Sequence, residues 1–306
     1  VNTKEWALIA YTILTQMSVG AFFILGLVHT YALRKSNEKE ADALSDRALL
    51  AIGPAIVLGV IVSLLHLGNP VNAYRAIFNI DSSWLSREIL ATVLFTGLGA
   101  VFAFLQWRKI ATFQVRRILA VVTALAGLVL VFCMSQVYML DFEPAWNTAA
   151  TPITFFVTTF LLGGLAMGAA FVANYTYLKS KPNLADLSVQ ADLLRASLQG
   201  IALGAMVLVG IELIVMPLYV AYLSNGNAIA VESASKLTSE YGVIFALRLA
   251  LGVIGAVLFS VFLYTTATLK KERQMVNFAY GAFAVVLIAE VLGRFLFYAI
   301  HLRMGL

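Results

Sequence analysis

Charge and sulfur are what this sequence has least of. Only 12% of its 306 residues are charged, and it carries one cysteine, three histidines and six prolines. A soluble globular domain keeps about a quarter of its residues charged. Low charge, together with 61% hydrophobic residues and a mean hydropathy of +0.89, excludes such a domain and leaves an integral membrane protein. The single cysteine, Cys133, forms no internal disulfide and cannot hold an iron–sulfur cluster, which takes about four thiolates, so any cluster chemistry belongs to a partner. Phosphate loops, CxxC or HExxH metal motifs and nucleophile elbows are all missing. A net charge of +5 would suggest nucleic acid in a soluble protein. Here the basic residues fall in short loops, where membrane topology explains them.

What is abundant is long apolar runs. A spanning helix needs ~20 mostly apolar residues, and eight such runs lie at approximately 6–33, 48–67, 89–107, 118–140, 153–178, 198–223, 241–269 and 276–301. The chain therefore reads as one all-α membrane domain, residues 1–306, of eight transmembrane helices. The first run is too long for a signal peptide and reads as a retained helix. Fourteen basic residues fall in the odd-numbered connections and three in the even ones. This positive-inside bias puts the odd loops in the cytoplasm and both termini outside, N-out and C-out. Residues 180–197, opening on Pro182, read as a short interfacial helix leading into the sixth span. Residues 225–240 read as a polar periplasmic loop. The pairs Gly164 and Gly168, and Gly200 and Gly204, have the spacing that lets helices approach closely.

Polar residues concentrate in residues 64–89, which hold His66, Asn69, Asn72, Tyr74, Arg75, Trp84, Ser86, Arg87 and Glu88. If the flanking runs cross a membrane, His66 closes one helix and Glu88 opens the next at the same water boundary. Gly68 and Pro70 end the first of these helices, and an imidazole with a reference pKa of ~6.5 accepts a proton near neutral pH. Ser86, Arg87 and Glu88 also suit the cap of the third helix. Four ionisable residues lie inside spans, where each needs a partner, a water-filled cavity or a function: Glu212, Arg248, Glu290 and Arg294. Glu290 and Arg294 are four apart and can pair on one helix face, and Arg248 can pair with Glu212. Taken singly, each pair is equally well a neutralised structural contact. Their gathering toward the side of His66 and Glu88 argues for a site that receives a small redox molecule dissolved in the lipid. A haem held by two histidines does not fit, because His29 and His66 fall on opposite sides and His301 falls beyond the core. Trp84 and Trp146 read as an interfacial aromatic belt. Two other classes stay open: a proton-coupled secondary transporter, which wants a mid-membrane site and repeats that are not seen, and a tether that binds no such molecule.

The stretch LLHLGNPVNAYRAIFNIDSSWLSREI, with EVLGRFLFY in the last run, resembles the DmsC-type membrane anchor subunits of bacterial dimethyl sulfoxide reductase, a resemblance that extends over essentially the whole chain. It implies a menaquinol-oxidising anchor in the bacterial inner membrane, without haem or metal of its own, that releases protons to the periplasm. It also implies two partners on the periplasmic side: a ferredoxin-like four-cluster iron–sulfur subunit and a molybdopterin catalytic subunit. When the family pattern is carried onto this sequence, His66 matches the family histidine linked to menaquinol, Glu88 the carboxylate of SREI, and Gly68 and Arg75 the same loop. The expected site therefore has His66 and Glu88 as proton-handling residues. Its quinol-binding set is His66, Gly68, Arg75, Ser86, Arg87, Glu88, Arg248, Glu290 and Arg294.

Overall fold

A computed structural model of the chain describes residues 3–46, 53–55, 57–59, 61, 78–181 and 183–302. Among these residues all regular structure is helical. We number the helices α1 (Thr3–Lys35), α2 (Glu38–Ser45), α3 (Trp84–Arg108), α4 (Phe113–Gln136), α5 (Ala150–Lys179), α6 (Leu187–Ser224), α7 (Ala228–Ser235), α8 and α9 (Glu272–Ala299). Helix α8 is continuous from Gly242 to Thr268 and carries a π-helical turn, Ile254–Leu258. Seven of these helices are long and apolar enough to cross a membrane: α1, α3, α4, α5, α6, α8 and α9. The remaining expected span, at 48–67, falls largely outside the described residues.

Capping explains where the helices depart from the hydropathy boundaries. Helix α3 starts at Trp84, not near residue 89, because the Ser83 side chain accepts from the Ser86 backbone N–H at 3.3 Å. The cap is thus Ser83 rather than Ser86. The interfacial segment at 180–197 is not a separate helix. Asp186 caps α6 through Ser188 and Val189, and nothing breaks the helix from there into the span. The Ser188 hydroxyl and these N–H groups hold the Asp186 carboxyl below its usual range. At 38 residues, α6 is longer than the ~30 Å hydrocarbon layer requires. The expected loop at 225–240 is mostly helix as well: Asn227 caps α7 by accepting from Ala230 N–H at 2.9 Å, and a π turn, Lys236–Glu240, continues it.

Helices α1 and α5 are the axis of the bundle, with 67% and 83% of their apolar stretches buried against 22% for α8. They cross so closely at Gly20 and Gly163 that a methyl on either glycine would collide with the other helix's backbone. Gly164 and Gly168 line the α5–α6 contact at Ile201, whereas Gly200 and Gly204 meet nothing within 4 Å. The outer helices show apolar faces outward, as with Val93 and Val207, which suits lipid rather than water. In α8 the buried positions Arg248, Gly252, Ala256 and Ser260 advance by four residues. That stride drifts by ~40° per step around a 3.6-residue helix, and the wider π turn absorbs the drift.

Strand-free connections put the α1 C-terminus, the α3–α4 turn, the α5–α6 loop and the α8–α9 turn at one end of the bundle. Most of the basic loop residues gather there. Helix α2 is tied down at this end by Asp42, which pairs with Arg116 at 2.5 Å and with Lys109. Gln190 Nε2 donates to the Glu40 carbonyl and carboxylate at 2.8 Å, and Asn174 donates to the Ala43 and Leu44 carbonyls. His29 lies buried at this end beside Phe113.

Candidate functional site

The opposite end holds the buried polar residues of interest, contributed by α1, α3, α5, α6, α8, α9 and the loop before α5. Arg248 sits two turns into α8 and pairs with Glu212 of α6, while its Nη1 lies 3.2 Å from Met216 Sδ. Both ends of this ion pair are buried. A buried ion pair holds only when both charges stay matched, so each residue fixes the other. Gly293 on α9 makes room for it, since a methyl there would run into the Arg248 guanidinium.

Glu290 and Arg294, also buried, do not pair with each other as their spacing suggested. Glu290 Oε2 accepts from the Thr158 hydroxyl of α5 at 2.6 Å. Arg294 Nη2 donates to Gln16 Oε1 of α1 at 2.9 Å, and its guanidinium lies 3.9 Å from the Phe155 ring centroid. Four residues along a helix allow pairing but do not compel it; Thr158, Gln16 and Phe155 on neighbouring helices are the better partners. The Arg248–Glu212 pairing is as expected.

Arg248, Glu290 and Arg294 line one cleft, with Thr158, Met216, Tyr219 and Phe297. Among the described residues, three buried donors around it have no acceptor: Arg248 Nε, Arg294 Nε and Gln16 Nε2. Unsatisfied buried N–H groups are rare in native structures and mark a place where a ligand or water completes the set. The cleft therefore combines arginine N–H donors with one carboxylate, is partly apolar, and among the described residues is short of acceptor oxygens for its donors.

Glu88 lies outside this lining. It is buried one turn into α3, where its carboxylate meets the Tyr11 hydroxyl of α1. Tyr11 Oη is also 3.0 Å from Thr92 Oγ1. Ser86 is buried beneath the Ser83 cap. Arg87 turns away to the helix end, donating to the carbonyls of Ile80 and Asp81 at 2.8 Å and stacking on Trp84 at 4.2 Å. His66, Gly68 and Arg75 lie outside the described residues.

Between Glu88 and the cleft stands a buried aromatic group. Tyr138 and Tyr298 share a hydrogen bond of 2.5 Å. Trp146 is not part of a surface belt: it is buried, stacks on Phe297 at 5.3 Å and His301 at 4.4 Å, and donates to the Phe297 carbonyl. His301 is likewise half-buried rather than beyond the core, with Nδ1 at 2.5 Å from the Tyr298 carbonyl. Sequence reasoning missed Gln16, Thr158, Tyr11, Tyr138 and Tyr298, which carry no charge and so stand out by no composition signal. Gly293 lies inside EVLGRFLFY, between the two ionisable residues.

These features define a multi-span helical membrane protein with a buried, arginine-lined polar site at one end. The model of the DMSO reductase anchor subunit (DmsC) family matches residues 1–300, and the chain belongs to that family. It is 26% identical over 304 residues to the C component of anaerobic dimethyl sulfoxide reductase from Haemophilus influenzae, covering 99% of this sequence and 96% of that one. The Escherichia coli protein of the same name gives 26% over 303 residues with the same coverage. A shorter match, 27% over 188 residues, covers 58% of this sequence and 56% of the C component of sulfite dehydrogenase from Allochromatium vinosum. The solved structure of bd oxidase from Geobacillus thermodenitrificans matches with a TM-score of 0.70 at 10% identity, over 96% of this sequence and 84% of that one. That likeness is one of fold. The protein is thus a multi-pass membrane anchor subunit of a dimethyl sulfoxide reductase-like complex.

Proposed function

We propose that this anchor oxidises menaquinol, with the head group seated in the arginine cleft and its electrons passing to the partner iron–sulfur subunit. The observation that carries this reading is the cleft itself: two buried arginines whose Nε–H groups find no acceptor among the described residues, beside the Glu290 carboxylate. A quinol oxygen supplies the missing acceptor, and a quinol hydroxyl finds in Glu290 an acceptor already oriented by Thr158. When bound, the quinol supplies two electrons and two protons. Arg248 and Arg294 stabilise negative charge as it develops on the head-group oxygens, an effect strong in a water-poor pocket. Stacking on Phe155 and the bond to Gln16 hold Arg294 in place before the substrate arrives. Glu88 receives protons at the same end of the bundle and passes them out, and the resemblance gives His66 a part in the same proton handling.

The membrane frame follows from the charge bias: eight spans in the bacterial inner membrane, both termini and the site at the periplasmic side, and the basic end with α2 in the cytoplasm. The four-cluster iron–sulfur subunit and the molybdopterin subunit then dock on the periplasmic face. Protons leave on the side where the quinol is oxidised, so turnover moves nearly no net charge across the membrane.

The test is quinol oxidation by the assembled complex in membranes, followed through reduction of the partner's clusters. His66→Ala and Glu88→Gln should each abolish it while the complex still assembles. A pure tether would show cluster reduction by artificial donors only, and no response to quinol even in the wild type.

A further inference from the structure

Helices α1 and α9 face each other through two polar rungs one turn apart. In the first, Arg294 donates to Gln16 at 2.9 Å. In the second, four residues on in α9 and four residues back in α1, the Tyr298 hydroxyl meets the Thr12 side chain. Tyr298 also shares its 2.5 Å hydrogen bond with Tyr138, which enters from the loop after α4. Next to Thr12, Tyr11 turns the other way and meets Glu88. Tyr11, Tyr138 and Tyr298 are buried, and each lies within electrostatic range of Glu88, while Arg294 lies within range of Tyr138 and Tyr298. Three buried phenols between a carboxylate and an arginine cleft are more than packing needs, since phenylalanine would fill the same volume without a hydroxyl to satisfy.

We propose that the hydroxyls of Tyr298, Tyr138 and Tyr11 form a proton link between the arginine cleft and Glu88. This rests on the quinol reading above and names the route by which that site loses its proton. The step from the first rung to the second is one helical turn, ~6 Å along the axis, a distance that one bridging water spans. Gln16 Nε2, a buried donor with no acceptor among the described residues, marks the place where a water oxygen is needed. The O–H bond of the quinol breaks as an O–H bond to this water forms. Tyr298 and Tyr138 then pass the proton along over their shared hydrogen bond, a second water carries it across to the Tyr11 hydroxyl, and Tyr11 gives its own proton to the Glu88 carboxylate as it takes that one. No tyrosine is left ionised, and the electrons leave separately to the partner's clusters. In this scheme the tyrosines are positioning and relay residues that never touch the substrate.

The test is steady-state quinol oxidation by the full complex in membranes, in H2O and D2O, with Tyr298→Phe, Tyr138→Phe, Tyr11→Phe and the Tyr138→Phe/Tyr298→Phe double variant. Each single variant should lose about tenfold in kcat, a modest share of what proton transfer by a side chain contributes, with KM within about twofold and an enlarged solvent isotope effect. The double should be no slower than its slower single, because a relay is broken only once. Equal titration of a quinol-site inhibitor shows that the pocket is intact. Should Tyr298→Phe fail to assemble, Tyr11→Phe, at the far end of the link, is read in the same assay. Wild-type kcat and isotope effect in the variants, or an inhibitor affinity that falls in step with kcat, would overturn the link alone. A wild type that oxidises no quinol and binds no inhibitor would overturn both the link and the reading beneath it.

Discussion

Gly293→Ala moves an arginine without removing its charge. Arg248 is held from one side by Glu212 and Met216, and its guanidinium rests against the α9 backbone at Gly293. A methyl there would collide with Nε and lie 2.8 Å from Cζ and 3.0 Å from Nη2. Carbon contacts are comfortable at about 3.5–4.0 Å, so the guanidinium must retreat by more than about 1 Å. It cannot do so freely, because moving away from α9 strains a buried ion pair. Overfilling of this kind costs about 1–3 kcal/mol, and a share of ~1.4 kcal/mol falling on the site is a tenfold loss of ligand affinity. The assay is titration of a fluorescent quinol-site inhibitor into membranes holding equal amounts of complex. The control is Gly281→Ala on the same helix, whose methyl meets Phe259 at an ordinary 3.5 Å. Weakened binding in Gly293→Ala with none in Gly281→Ala is the expected result. Unchanged affinity in Gly293→Ala would refute the claim that the position of Arg248 matters to the ligand.

Three other outcomes follow from the same geometry. Glu212→Gln leaves Arg248 charged and buried without its counter-ion, so the solubilised complex should lose about 3–5 kcal/mol of stability, and Glu212→Gln/Arg248→Met should recover most of the thermal midpoint while losing inhibitor binding. Arg294→Lys keeps the charge but gives up the guanidinium's place over the Phe155 ring and the forked donor set, so quinol oxidation should fall at least about tenfold with the complex still assembled. At the opposite end, Gln190→Leu removes both bonds to Glu40. Amide exchange at α2 should then rise while quinol oxidation stays at the wild-type rate, as measured by hydrogen exchange and the membrane assay together.

The spans were legible because a membrane helix writes itself as hydropathy over twenty or more residues, and the seven described ones differ from the expectation mainly in where they begin and end. Those limits are set largely by single caps. Asn37 with Glu40 three residues on is a capping signal for α2 that hydropathy cannot register, and the Asn37 side chain indeed accepts from the Glu40 backbone at 3.0 Å. Asn227 does the same for α7. In the site, Arg248, Glu290 and Arg294 stood out because charge in a span is costly. Their partners did not: Thr158, Gln16 and Tyr138 are ordinary residues of helices and loops until the fold sets them opposite a charge. Tyr138 and Tyr298 are 160 residues apart in the sequence, and no periodicity links them. The Glu290–Arg294 pairing failed for the same reason, since helix spacing fixes proximity on one face while neighbouring helices decide which contact is made.

The most direct measurement is binding of the fluorescent quinol-site inhibitor to membranes containing the assembled complex, wild type against Arg294→Met. The account expects one inhibitor bound per anchor in the wild type and no saturable binding in the variant at equal complex content. Absence of binding in the wild type, or undiminished binding in Arg294→Met, would contradict it and leave the subunit an anchor whose arginine cleft serves no quinol.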